Sequence, residues 1–228
     1  VQRHFDRWGE ETMAKALAKA QTRKNDPDAT RENILDVAGR EFVASGFSGA
    51  RVDEIAAQTR TSKRMIYYYF GSKEGLYLAV LERAYGKIRA LESSLSLDDQ
   101  DPESAMRSLV ESTFDHDDAN PDFVRLVAVE NIHRAEHMER SDVLSRQNVT
   151  ILETIEKILE RGREQGVFQR RISALDLHML ISAQCFFRVS NRHTFGAIFG
   201  TDLMASDVKA RHRRLISDTI IALLKSAE

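Results

Sequence analysis

Residues 52–70 carry two short helical patterns separated by a three-residue turn, and few folds accommodate that arrangement. Val52, Ile55 and Ala56 share one side of the first pattern. Ser62 then stands where an N-cap is needed, and a second pattern runs to about Phe70. On a helical wheel at about 100° per residue, Lys63, Arg64, Tyr67 and Tyr68 fall within one arc of roughly 140°. Met65, Ile66, Tyr69 and Phe70 take the opposite side, so one face of this helix can bury itself against its neighbours. The other face offers two cations and two phenols, the groups that engage phosphate oxygens and base edges. An ordinary solvated charged face is the plainer alternative, but two tyrosines exposed beside two cations argue against it.

The rest of the chain also reads as helix. Thr30 looks like an N-cap for a helix burying Ile34, Leu35, Ala38 and Phe42, with Gly46 ending it. Ser72 caps a helix to about Ser93, and a polar linker follows over 94–101. Asp101-Pro102 restarts a helix with an N-cap and a proline at its first position, and Asn120-Pro121 repeats that signature. Residues 123–132 are apolar nearly all round, which predicts a buried helix. A long helix from about Ser141 carries Ile151, Leu152, Ile155, Ile158 and Leu159 and stops at Gly166. Ser173 and Asp176 form a capping box for a helix over about 173–192, and a last one spans about 207–225. Nothing reads as a strand. The expected fold is all-α, with about nine helices and no internal repeat. Residues 1–28 form an arm, 29–72 a three-helix helix-turn-helix unit, and 73–228 a helical domain for effector binding and dimerisation. The arm's 13–23 stretch can be a short helix with little apolar face. Its cations Lys15, Lys19, Arg23 and Lys24 either reach DNA or belong to a leader without a fold.

Composition sets outer bounds. In 228 residues, 42% hydrophobic and 30% charged content suits a soluble protein with a real core. Cys185 is the only cysteine, which excludes an intramolecular disulfide and fits a reducing cytoplasm; beside Ala183, Phe186 and Phe187 it reads as a small buried hydrophobe. The longest uncharged apolar run, 177–187, falls short of the ~20 residues of a spanning helix, and the N-terminus lacks a signal-peptide core. The expectation is a soluble cytoplasmic protein. A net charge of −2 looks wrong for a DNA binder, but DNA meets one face rather than the whole molecule. Arg51, Arg60, Lys63, Arg64 and Lys73 outweigh Asp53 and Glu54 there, and acid concentrates elsewhere, as in Asp115-His-Asp-Asp118.

A resemblance now becomes specific. Arg31, Ile34, Leu35, Ala38, Phe42, Gly46 and Phe47, then Val52, Ile55 and Ala56, then Ser62-Lys63 and Ile66-Tyr67-Tyr68-Tyr69-Phe70 with Ser72-Lys73-Glu74, resemble the DNA-binding domain of the tetracycline-repressor (TetR-type) family. The likeness covers about 45 residues. It implies a homodimer that sets each third helix in a major groove of a palindromic operator, with an effector pocket in the C-terminal domain. By that similarity Ser62, Lys63, Tyr67 and Tyr68 contact DNA and Lys73 meets phosphate; Arg51 and Arg64 complete the candidate face. The family's usual Ala-Gly-Val turn is here Thr59-Arg60-Thr61, so a left-handed Arg60 would carry strain of ~1 kcal/mol. Arg51 replaces the usual hydroxyl cap of helix 2, and Met65 stands where a small hydroxyl residue is common.

Beyond residue 95 the reading rests on periodicity and placement. The stripes of the last two long helices imply a dimer interface including Leu180, Leu215, Ile216, Ile220 and Leu223, unless both stripes are internal core. Candidate effector-pocket walls among helices 4 to 8 are Phe114, Phe123 and Phe187, with Phe186 beside them. Glu130, Asn131 and His133 interrupt an otherwise apolar helix, so a ligand or an internal network must satisfy them. Helix 4 is the expected lever to the DNA-binding unit; its Gly75 and Gly86 either ease bending or permit close packing. A different class of reading uses Glu130, His133 and His137 at helical spacing as metal ligands, with His178 beside them, in a metal-binding or hydrolytic protein. No nucleophile elbow, phosphate loop or two-cysteine motif supports catalysis, so the expectation is a non-enzyme without cofactor that partners operator DNA, a second copy and a small organic effector.

Overall fold

A computed structural model describes residues 26–227; among them are ten α-helices, two 3-10 turns and no strand. The helices are α1 (Pro27–Gly49), α2 (Val52–Thr59), α3 (Lys63–Phe70), α4 (Lys73–Ser93) and α5 (Pro102–Ala119). Then come α6 (Pro121–Ile132), α7 (Asp142–Glu164), α8 (Ala174–Ser190), α9 (Arg192–Phe199) and α10 (Ser206–Lys225). The expected 13–23 helix and its cations lie outside the described residues.

Most helix starts follow from local cap chemistry. The Ser62, Ser72, Ser141 and Ser173 hydroxyls and the Asp101 carboxylate each accept a backbone N–H of the first turn. Two expectations fail. Thr30 does not cap α1: Asp26 does, accepting from the Asp28 and Ala29 amides at 3.0 and 3.2 Å, with Pro27 in the first turn. The Thr30 hydroxyl instead donates back to the Asp26 carbonyl. Asn120 does not cap α6; its amide donates to the His116 carbonyl of the preceding helix.

Two apolar cores organise the packing. The first gathers Ile34, Leu35, Ala38 and Phe42 of α1 with Ile55, Ile66 and the α4 residues Leu76, Tyr77, Val80 and Leu81. Leu126 of α6 and Leu144 of α7 close it from the other side. The second joins Met106, Leu109 and Phe114 of α5 to Ile155 and Leu159 of α7, Leu177 and Ile181 of α8, and Ile220 and Leu224 of α10. α4 leaves the first core to pack along α5 and α7, so a displacement of α7 or α5 reaches the base of the recognition unit. At the far end of α7, Gly162 is needed because the Phe168 ring lies only 2.0 Å from where a Cβ would stand.

The tenth helix is α9, absent from the expected nine. The predicted 173–192 helix ends at Ser190, where Asn191 turns the chain with its N–H on the Phe187 carbonyl. α6 also differs: Val124, Leu126 and Glu130 are buried, but Ile132 is 77% exposed. Its apolar surface exceeds what its neighbours cover. No helix among the described residues is long and apolar enough to cross a membrane.

Candidate DNA-binding face and effector pocket

The two-helix unit is held by a turn that does not suit its residue. Arg60 ends α2 at φ 54°, ψ 31°, the left-handed region, with its N–H on the Ala57 carbonyl at 3.3 Å. That reversal lets Ser62 start α3, where its hydroxyl accepts the Met65 N–H at 3.2 Å. Ile66 is fully buried and anchors α3 to the first core.

Arg51, Ser62, Lys63, Arg64, Tyr67 and Tyr68 are all exposed. Tyr68 is the most open of them at 77%, its ring edge-on to Tyr69. Lys63 is not free: its ammonium pairs with Asp53 of α2 at 3.1 Å. Lys73 is half-buried, donating to the Ser48 carbonyl at 3.4 Å and sitting 4.9 Å over the Phe47 ring. Arg51 makes no side-chain cap for α2; its backbone N–H donates to Glu41. The face therefore joins the cations of α3 to exposed phenols, with one acidic partner from α2. Sequence reading missed Asp53 as that partner, because proximity across a turn is a tertiary fact.

Gly75 belongs to this site as well. A Cβ there would stand 2.0 Å from the Phe70 carbonyl oxygen, so the residue permits the close joint between the end of α3 and the start of α4. Close packing, rather than easier bending, accounts for it.

The six candidate pocket residues do not come together. Phe114 is core, with the Arg188 guanidinium 4.3 Å over its ring. Phe123 is half-buried, edge-on to Tyr85 and to His116, and lines a cleft of about 490 Å³ between α1, α4 and the α5–α6 corner. Asn131 and His133 face solvent at the end of α6, and the Asn131 amide donates to its own helix at Val127. Phe187 is exposed on α8, beside Phe195 in a groove of about 390 Å³. Of the six, only Glu130 is both buried and incompletely satisfied: one carboxylate oxygen meets His137 Nδ1 at 3.0 Å and the other has no partner among the described residues.

That pair sits against the aromatic side of the first core. The His137 ring lies 4.3 Å from Phe47 and 4.9 Å from Tyr77. Burial, then the neighbouring Glu130, pushes the Tyr77 phenol far up. The metal reading fails here for a geometric reason. α6 ends at Ile132, and Arg134 and Ala135 turn the chain with positive φ, so Glu130, His133 and His137 share no helix face. Among the described residues no three potential ligands group together. His178 lies instead near Arg89, where burial and then that charge hold its imidazole below its ordinary value.

The expected interface residues also need correction. Ile216 and Ile220 lie in the second core of their own subunit; Ile220, at 1% exposure, offers no surface to a partner, and Ile216 shows only an edge to the groove beside Phe187. Leu180 is half-buried against that core, and Leu223 is half-buried. Only Leu215 is open, at 59%. The exposed apolar stripe is instead Leu175, Met179, Ala183 and Phe187, four residues apart along α8. Their spacing was readable in the sequence; which side of α8 faced its own core was not.

Comparison with known proteins agrees with this architecture. Residues 34–80 match the family described as bacterial regulatory proteins, tetR family, and 102–220 match the tetracyclin repressor-like C-terminal domain. The HTH-type transcriptional repressor NicS of Pseudomonas putida is 36% identical over 207 residues, covering 91% of this chain and 98% of NicS. The HTH-type transcriptional repressor SCO4008 of Streptomyces coelicolor is 30% identical over 201 residues, covering 84% and 97%. Among solved structures, HlyIIR, a hemolysin II transcriptional regulator, superposes with a TM-score of 0.57 at 26% identity, covering 88% and 99%. A tetR-family regulatory protein from Rhodococcus RHA1 shares the fold, with a TM-score of 0.68 at 17% identity over 87% and 98%. With both halves matched and full-length relatives above 30% identity, the chain belongs to the tetR family of DNA-binding transcriptional regulators.

Proposed function

We infer that the protein is a homodimeric repressor that holds a palindromic operator and is released from it by a small organic effector. The observation that carries the reading is the one-sided face of α3, where Lys63, Arg64 and Tyr68 are exposed while Ile66 is fully buried. The repressor names of NicS and SCO4008, both matched over nearly their whole length, support the sign of regulation. A two-fold dimer suits an operator with two half-sites, because protein symmetry is mirrored in the DNA. The reading makes the protein a non-enzyme acting in the cytoplasm, where operator DNA lies.

Release needs an effector that binds the two conformations of the protein unequally. α4 is the route, since it enters both packing systems and meets α3 through the close joint at Gly75. The test is operator binding against salt, on a fragment selected from random duplex DNA. Lys63→Ala leaves one phosphate per subunit without its cation and lowers the log–log salt slope by about 0.9 for each such phosphate. Tyr68→Ala changes the preferred sequence. An unchanged slope together with unchanged preference overturns this use of α3.

A further inference from the structure

Along α4, one turn beyond Gly86, Arg89 is largely buried, its side chain 13% exposed. Its ionic partner is Glu92 of the same helix, at 2.9 Å from Nη1 but without hydrogen-bond geometry. Neither Nε nor Nη1 has a hydrogen-bond partner among the described residues. Leaving buried guanidinium donors unmade costs more than a neutral group would, so such atoms call for an acceptor. Burial pushes the Glu92 carboxyl up to about 7, against the pull of Arg89, so near neutral pH it offsets the guanidinium only in part.

The surroundings say what kind of acceptor fits. Gln147 of α7 approaches α4 at Gly86 with its amide nitrogen, a donor that an acid can use, 3.6 Å from where a Cβ would be. Tyr85, largely buried, stands on the same side of α4 and feels the Arg89 charge. His178 approaches from α8 with its imidazole biased towards neutrality, so it brings no competing cation. Leu177 and Ile181, which flank His178 in sequence, belong to the apolar core, as does Ile151 one turn beyond Gln147.

We propose that the effector is a small organic acid with an apolar body, its carboxylate held by Arg89 between α4, α7 and α8. This rests on the effector reading above and adds the ligand's chemical class and its anchor. An acid of this kind satisfies the guanidinium donors, and its apolar body suits the apolar residues that α7 and α8 bring nearby. Hydrogen bonds to a charged group are the stronger kind, so the acid group dominates recognition.

The full-length protein is melted with benzoate, cyclohexanecarboxylate and benzamide at about 10 mM, against sodium chloride at matched ionic strength. A ligand that binds only the folded state raises the melting temperature. Both acids should raise it and benzamide should not. Arg89→Met should weaken the acids about tenfold or more while still retarding operator DNA, as loss of a charged hydrogen bond implies. If Arg89→Met does not fold, Arg89→Lys keeps the charge and should retain weakened acid binding, and Gln147→Leu should weaken it without unfolding. Benzamide matching the acids, no acid raising the melting temperature, or acids acting equally on the Arg89 variants overturns the proposal. Operator retardation is read on the same samples. If it survives while the acids do nothing, only the ligand class falls; if it is absent from the unliganded protein, the repressor reading falls first.

Discussion

At the scale of single residues, the DNA-binding unit holds one position where side chain and backbone disagree. Arg60 adopts φ 54°, ψ 31°, which costs an L-residue with a Cβ on the order of 1 kcal/mol that glycine avoids. Its side chain is exposed and makes no ion pair among the described residues, so no such pair offsets that strain there. Arg60→Gly is therefore expected to raise stability by ~1 kcal/mol, read as a higher urea midpoint at unchanged slope. If the arginine is there for DNA, the same variant binds operator more weakly and with a shallower salt dependence. A midpoint that falls would show that the arginine stabilises the fold through contacts that outweigh the strain. Gly75 is the converse case, where a side chain would meet a carbonyl oxygen. Both residues lie in a motif that is easily recognised, yet their difference rests on backbone geometry that residue identity does not display.

At the scale of elements, charges stitch α5 to α10. Lys225 pairs with Glu103, Arg107 with Asp218, and Arg213 with both Glu111 and Asp115. Most of these pairs are partly open to solvent, where each contributes little. The seam ends differently. Asp118, with its side chain 6% exposed, is bonded by Arg188 from α8 and paired with Lys209 from α10. Burial alone would raise its carboxyl, but those two cations hold it below the ordinary range. Arg188 also donates to the Leu203 carbonyl at 2.8 Å and lies over the Phe114 ring. Arg188→Met removes one of two counter-charges from a buried carboxylate, with an expected loss of about 3–5 kcal/mol. Chemical denaturation measures it, and a loss under 1 kcal/mol would mean that Lys209 alone suffices. The acidic run 115–118 is plain in the sequence, but its partners are some 70 to 98 residues away, so only the fold reveals that it is structural. Cap signals read well because a cap is made by residues within one turn; Ser62, Ser72 and Asp101 needed no tertiary knowledge. The start of α1, the break before α9 and the open side of α6 read poorly. Each is decided by what packs alongside, or by a proline whose two local meanings, stop and start, look alike.

At the scale of the whole molecule, the question is what covers the apolar surface that one subunit leaves open. Leu175, Met179, Ala183 and Phe187 repeat at four-residue intervals along α8, and Leu215 of α10 lies with Phe187 on the groove between those helices. α9 adds Ile198 and Phe199, 72% and 63% exposed. Contiguous exposed apolar surface of this kind marks an interaction site, and the homodimer proposed above supplies an occupant. α10 also holds Ile220, which faces inward, so the open stripe of α8 and the core side of α10 make opposite predictions. Met179→Glu places a charge on the open stripe. It should dissociate the dimer in sedimentation while leaving the helical circular dichroism of the subunit intact. Operator binding should weaken in step, because a single subunit offers one recognition helix and about half the phosphate contacts. Ile220→Asp buries a charge in the subunit's own core and should abolish the folded state rather than yield a folded monomer. If Met179→Glu remains a dimer that binds operator normally, the stripe on α8 faces something else. A folded monomer from Ile220→Asp would instead show that the core of the larger domain forms only within the dimer.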